Sequence, residues 1–174
     1  MITLEPGQTV LVKRPTARFM WSHPAHVLAQ GFGSGLTRWM PGTSGTLFAW
    51  LTYSVLTGRW PQLFTAPVWA GIIGIGFVAG IWACERTGQD LGIADHGSMV
   101  WDEIIAFWLV LLLMTPADGV TQIWAFVWFR FFDMVKPPPI GWFDRRLKGG
   151  FGVMWDDIVA AFFTLLVFAF WRAL

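Results

Sequence analysis

Cysteine is nearly absent from this chain of 174 residues, and the single Cys84 excludes both an internal disulfide and a zinc site built from thiolates. Cys84 is also no nucleophile of a Cys-x5-Arg phosphatase loop, because Asp90 stands where the arginine would be needed. Charge is scarce as well. Only 13% of residues are Asp, Glu, Lys or Arg and the net charge is +1, which gives nucleic acid nothing to bind, and no soluble basic run with interleaved aromatics is present. Tandem repeats and low-complexity tracts are missing, and Pro137-Pro138-Pro139 is long enough only for a stiff turn.

What is abundant is apolar surface. With 55% hydrophobic residues, 13 Trp, 16 Phe and a mean hydropathy of +0.54, the chain carries more than a soluble core of its size can hide. Tryptophan at this level suits a bilayer interface, where the indole has an apolar body and one donor. The expected fold is an all-α integral membrane bundle with about 4–5 membrane-embedded helices, some short or re-entrant, and polar loops converging on the cytoplasmic face. Residues 1–27 form an N-terminal cytoplasmic segment and residues 28–174 a single membrane-embedded domain. No cleavable leader is evident, so the chain is expected to enter the membrane through its own spans.

Five apolar runs can be drawn, over 46–56, 63–84, 104–114, 120–132 and 158–171. Only the second reaches the roughly 20 residues that a spanning helix needs. The others must extend into their flanks, tilt, or pair as a shallow hairpin around Thr115-Pro-Ala-Asp-Gly119. With five crossings, Lys13, Arg14, Arg18, Arg38, Arg86, Arg130, Lys136, Arg145, Arg146 and Lys148 share the side of the N-terminus, and Arg59 and Arg172 lie opposite. The positive-inside rule makes that first side cytoplasmic. Every acid except Asp118 falls there too, so four distant polar stretches meet on one face, as a site between helices requires.

The chemistry lies at two similar joins. Asp102-Glu103 and Asp156-Asp157 each stand directly before an apolar run with no cation between. Neighbouring acids in such a place repel and lose hydration, so a metal ion or strong cationic partners are expected. Asp95 and Asp102 are seven apart and share a face if that stretch is helical, an oxygen-rich set suited to Mg²⁺; alternatively the acids serve the helix dipole. His96 reads as a surface or supporting residue. Arg130, Asp133 and Lys136, spaced by three, form one helical stripe, either metal and phosphate groups or a salt-bridged helix end. Gly31-Phe-Gly-Ser34-Gly35 and Pro41-Gly-Thr43-Ser44-Gly-Thr46 offer amides and hydroxyls to phosphate, or simply a loop and a helix cap. A nucleoside triphosphate is not indicated, since the lysine of a P-loop is missing. Arg145, among glycines before the second acid pair, belongs to a substrate-approach loop or meets anionic lipid headgroups.

Taken together these blocks resemble the phosphatidylglycerophosphatase A family of bacteria. The likeness is carried by Gly33-Ser-Gly35 with Pro41-Gly-Thr-Ser-Gly-Thr-Leu47, Asp95 with Val100-Trp-Asp-Glu103, residues 129–140 from Phe129 to Ile140, and Gly149-Gly-Phe-Gly-Val-Met-Trp-Asp-Asp157. Ala106 and Val153 depart from the family's usual Gly and Ile without removing a functional group. The resemblance implies a Mg²⁺-dependent lipid phosphatase of the bacterial inner membrane, multi-pass with its site facing the cytoplasm, that converts phosphatidylglycerophosphate to phosphatidylglycerol. No obligate protein partner is inferred. Asp95, Asp102, Glu103, Asp133, Asp156 and Asp157 then supply metal ligands and a general base, with Lys136 beside them in catalysis. Ser34, Thr43, Ser44, Thr46, Arg130, Lys136 and Arg145 hold the phosphate.

Two rival readings make different demands on the sequence. A cytidine-lipid phosphoalcohol transferase needs Ala-Arg after its Asp-Gly, whereas Gln122-Ile123 follows Asp118-Gly119. A cation or proton transporter uses intramembrane acids, but predicts them near helix midpoints and on both halves of the membrane.

Overall fold

The computed structural model describes residues 14–136 and 149–173, with no strand among them. Two short helices, α1 (Ala17–Met20) and α2 (Pro24–Ala29), lead through a 3-10 segment (Gly31–Leu36) into five longer ones. These are α3 (Pro41–Arg59), α4 (Ala66–Leu91), α5 (Trp101–Met114), α6 (Gly119–Val135) and α7 (Gly149–Ala173). Local chemistry sets several of the boundaries. Pro41 opens α3, where its missing N–H is no loss. Gly92 stops α4 in the left-handed region at φ 73°, its N–H donating to the Gln89 carbonyl. Asp118 caps α6 by accepting the Thr121 N–H at 2.7 Å, and this bond holds its carboxyl below the usual range.

The centre of the bundle is α5, which packs against α3, α4, α6 and α7. Its mean composition is the most apolar of the five, and Ile104, Ile105, Ala106, Phe107 and Val110 are wholly buried. At 14 residues it is about 21 Å long, less than a bilayer's roughly 30 Å core. Four neighbours surround it, so it needs little lipid contact. Those neighbours turn their own apolar residues outward, among them Leu51, Ile75, Val78, Trp124 and Phe162. Among the described residues two helices are long and apolar enough to cross a membrane, α4 and the 149–171 part of α7. The second qualifies because helix begins at Gly149, ahead of the apolar run read from sequence.

Alternating helix direction brings the N-terminal ends of α3, α5 and α7 together with the C-terminal ends of α4 and α6. The opposite end is closed by paired polar groups: Tyr53 Oη lies 3.0 Å from Thr115 Oγ1, and the Trp69 and Trp50 indoles donate to Thr57 and Gln122. Before the bundle, α2 fastens to the end of α4. Buried His26 sits 3.0 Å from Asp90 through Nε2, and Arg86 donates to the same carboxylate oxygen.

Two local expectations change. Residues 95–100 are not helical, so Asp95 and Asp102 do not share a helix face. The glycine-rich stretch from Gly149 to Met154 is the first part of α7 and not a loop. The acids themselves lie on helices, Asp102 and Glu103 in the first turn of α5 and Asp156 and Asp157 about two turns into α7.

Candidate active site

Because α5 and α7 pack side by side, Asp157 comes to face Asp102 and Glu103. One carboxylate oxygen from each of Asp102, Glu103 and Asp157 lies within 4.8 Å of the other two. Asp102 and Asp157 are only 7% and 3% exposed. Asp102 Oδ1, Glu103 Oε2 and Asp157 Oδ2 are buried with no hydrogen-bond partner among the described residues. Three acids with orphaned oxygens in one buried space are unstable alone and fit a hard divalent cation, which takes oxygen ligands and offsets their charge.

Cations flank this cluster from α6. Arg130 Nη1 lies 2.5 Å from Asp133 Oδ2 and 3.7 Å from Glu103 Oε1. Its Nε is buried without an acceptor among the described residues, so the guanidinium keeps a donor for a further oxygen. Lys136, where α6 ends, forms an ion pair with Asp156 across to α7. The two members of the second acid pair therefore point to different partners, Asp157 into the cluster and Asp156 to lysine.

The start of α3 forms the opposing wall. A Cβ at Gly42 would run into Glu103 Oε1 and the Arg130 guanidinium, so the missing side chain lets both groups lie against the α3 backbone. The next residue, Thr43, has a buried hydroxyl with no partner among the described residues. Helix α3 thus turns its positive end toward the cluster, an arrangement that favours an anion between them.

The other predicted residues separate by their contacts. Ser34 Oγ donates to the Gly31 carbonyl at 2.8 Å, and buried Thr46 donates to Gly42 O at 2.9 Å, so both hydroxyls serve their own backbone. Ser44 Oγ accepts from Thr37 at 3.1 Å. Asp95 is exposed on the loop before α5, within electrostatic reach of Asp102. Beside it, partial burial holds His96 below the usual imidazole range. Its Nδ1 accepts the Ser98 N–H at 3.1 Å, which assigns the ring proton to Nε2. Arg145 lies outside the described residues.

Sequence reasoning missed Glu85, whose carboxylate accepts the Gly150 N–H at 2.6 Å and so ties the start of α7 to α4. Its only signal was an acid just beyond the second apolar run. It also missed the role of Gly42, hidden among several glycines of the same motif.

Residues 27–172 match the family model described as Phosphatidylglycerophosphatase A, nearly the whole chain and all of the site above. The chain belongs to the phosphatidylglycerophosphatase A family. Among the family's curated members it is 44% identical to Phosphatidylglycerophosphatase A of Escherichia coli (strain K12) over 144 residues, covering 83% of this chain and 81% of that one. It is 38% identical to the protein of the same name from Haemophilus influenzae over 157 residues, 88% and 91% of the two chains. A Bacteroides thetaiotaomicron relative, 35% identical over 147 residues (82% and 90%), is provisionally named a phosphatidylinositol-3-phosphatase. No solved structure matches.

Proposed function

We propose that the protein hydrolyses the terminal phosphomonoester of phosphatidylglycerophosphate, leaving phosphatidylglycerol and inorganic phosphate, in a Mg²⁺-dependent reaction at the cytoplasmic edge of the inner membrane. The observation that carries this reading is the buried Asp102–Glu103–Asp157 cluster facing Arg130 and the α3 N-terminus in a chain of this family. Asp102, Glu103 and Asp157 are the residues that would hold the ion, with Asp95, Asp133 and Asp156 close by. When bound, Mg²⁺ supplies charge neutralisation and a lowered pKa for water at the phosphate.

The chain's own groups do the rest. Arg130, with its unused Nε, and Thr43 hold oxygens of the phosphoryl group, while the α3 amides favour its charge. A carboxylate from the pool takes the proton of the attacking water. The water oxygen adds to phosphorus in line as the bond to the glycerol oxygen breaks, and Lys136 is near enough to the acids to stabilise that leaving oxygen. Acids gathered at one end of the bundle, not spread along helix midpoints, favour this chemistry over ion transport.

Phosphate release from phosphatidylglycerophosphate by the detergent-purified protein is expected with Mg²⁺, to stop with excess EDTA, and to be absent in Asp102→Asn. A folded, Mg²⁺-supplied protein that releases none would reject the reading and return ion transport to the front.

A further inference from the structure

A cavity of about 310 Å³ borders the α3 N-terminus, with Pro41 in its wall. Arg14, Arg38 and His96 line it together with Thr37 and Ser98; no acid is among its lining residues, and Asp95 adjoins it next to His96. Both arginines are exposed. Two guanidiniums facing one concavity repel each other and are relieved by an anion with several acceptor oxygens.

The cavity and the carboxylate cluster share a wall. Pro41 lines the first, and the next residue, Gly42, abuts Glu103 and Arg130 in the second. At Gly35, also in the cavity wall, an added Cβ would meet the Ser98 carbonyl and the Val100 side chain just before α5. An anion held here would therefore lie beside the reacting phosphate without sharing its ligands. None of the groups assigned above to the transferred phosphate lines this cavity.

Phosphatidylglycerophosphate carries two phosphates, the monoester that is removed and a diester that joins glycerol to the diacylglycerol. The phosphatidylinositol-3-phosphatase name of one relative denotes a lipid with the same two kinds of phosphate, separated by a polyol. With the monoester at the carboxylates, the diester needs a cationic seat a short polyol away.

We propose that the Arg14–Arg38–His96 cavity binds the phosphodiester of the substrate headgroup while the phosphomonoester occupies the Asp102–Glu103–Asp157 site. This rests on the lipid phosphatase reading and gives it a basis for headgroup choice. Phosphatidic acid, with a single phosphate, fills only one of the two seats.

The test uses the full chain in mixed micelles, with Arg38→Ala, Arg14→Ala and Arg38→Lys compared with wild type. Phosphatidylglycerol, which keeps only the diester, and inorganic phosphate serve as inhibitors, and oleate supplies anionic surface without phosphate. Loss of one charge-assisted contact should raise KM for phosphatidylglycerophosphate about tenfold in each alanine variant, with kcat within about twofold. Inhibition by phosphatidylglycerol should weaken in parallel, inhibition by inorganic phosphate should hold, and Arg38→Lys should recover most of the KM. An unchanged KM overturns the proposal. So does a parallel loss of phosphate inhibition, which would place these arginines at the reacting group, or an equal change with oleate, which would make them a general anionic-surface contact. A wild type that releases no phosphate is a different failure, seen before any variant is compared, and removes the activity reading itself.

Discussion

At the residue scale, the role proposed for Asp102, Glu103 and Asp157 sets catalysis against folding. Their orphaned oxygens lie in a buried space with Arg130 as the cation in contact with Glu103, so without metal each added negative charge works against the fold. Asp157→Asn keeps the shape and removes one charge. In EDTA it should therefore unfold at a higher temperature than wild type, by about 2–4 °C for each kcal/mol of repulsion relieved. Turnover in Mg²⁺ should fall by about 10²-fold or more, the scale of losing one group of a preorganised electrostatic site. Thermal unfolding in detergent with EDTA, beside a phosphate-release assay, checks both directions. A lower melting temperature would mean that Asp157 is held by a protein partner and does not await an ion. The residues alone mark Asp157 as half of an acid pair, and the family resemblance adds it to the metal-ligand and general-base pool. Adjacent helical residues differ by about 100° around the axis, so which one faces α5 and which faces Lys136 depends on how α7 is rotated against its neighbours.

At the scale of elements, glycine explains both what was legible and what was not. The apolar runs located the middle of all five long helices, because continuous hydrophobic stretches have few alternatives in such a chain. The ends were displaced, since glycine-rich motifs read as loops while Pro41–Gly45 and Gly149–Gly152 are helical. Here glycine serves contact and not flexibility. A Cβ on Gly150 would meet the Ile81 carbonyl and, at 2.7 Å, the Glu85 nitrogen, both rigid backbone of α4. Gly150→Ala should force α7 away from α4 at a cost of about 1–3 kcal/mol, the range of overpacking. Because α7 carries Asp157, turnover should fall with it. Gly71→Ala, on the same α4 but with nothing within 4 Å of its added Cβ, is the control and should be neutral or slightly stabilising. Melting temperatures and turnover of the two variants decide the matter; equal behaviour would show that the α4–α7 approach does not set the site.

Across the whole molecule, the two ends of the bundle are built on different terms. The far end closes on neutral hydrogen bonds from Tyr53, Trp50 and Trp69, which need nothing added. The end with the acids gathers α3, α5, α6 and α7 around buried negative charge, and a cation held by Asp102, Glu103 and Asp157 would join α5 to α7 directly. Its binding free energy is then folding free energy. Wild-type protein should gain about 2.7 kcal/mol when Mg²⁺ is raised to a hundred times its dissociation constant, seen as a rise of several degrees in melting temperature. Asp157→Asn should begin higher in EDTA and rise much less, so that the two melting curves cross as Mg²⁺ is added. Titrating Mg²⁺ against both proteins measures this directly. A constant gap between them would mean that the ion does not bind at Asp157. A crossing would tie metal, the three carboxylates and the α5–α7 contact into one cooperative unit, independently of any assay of turnover.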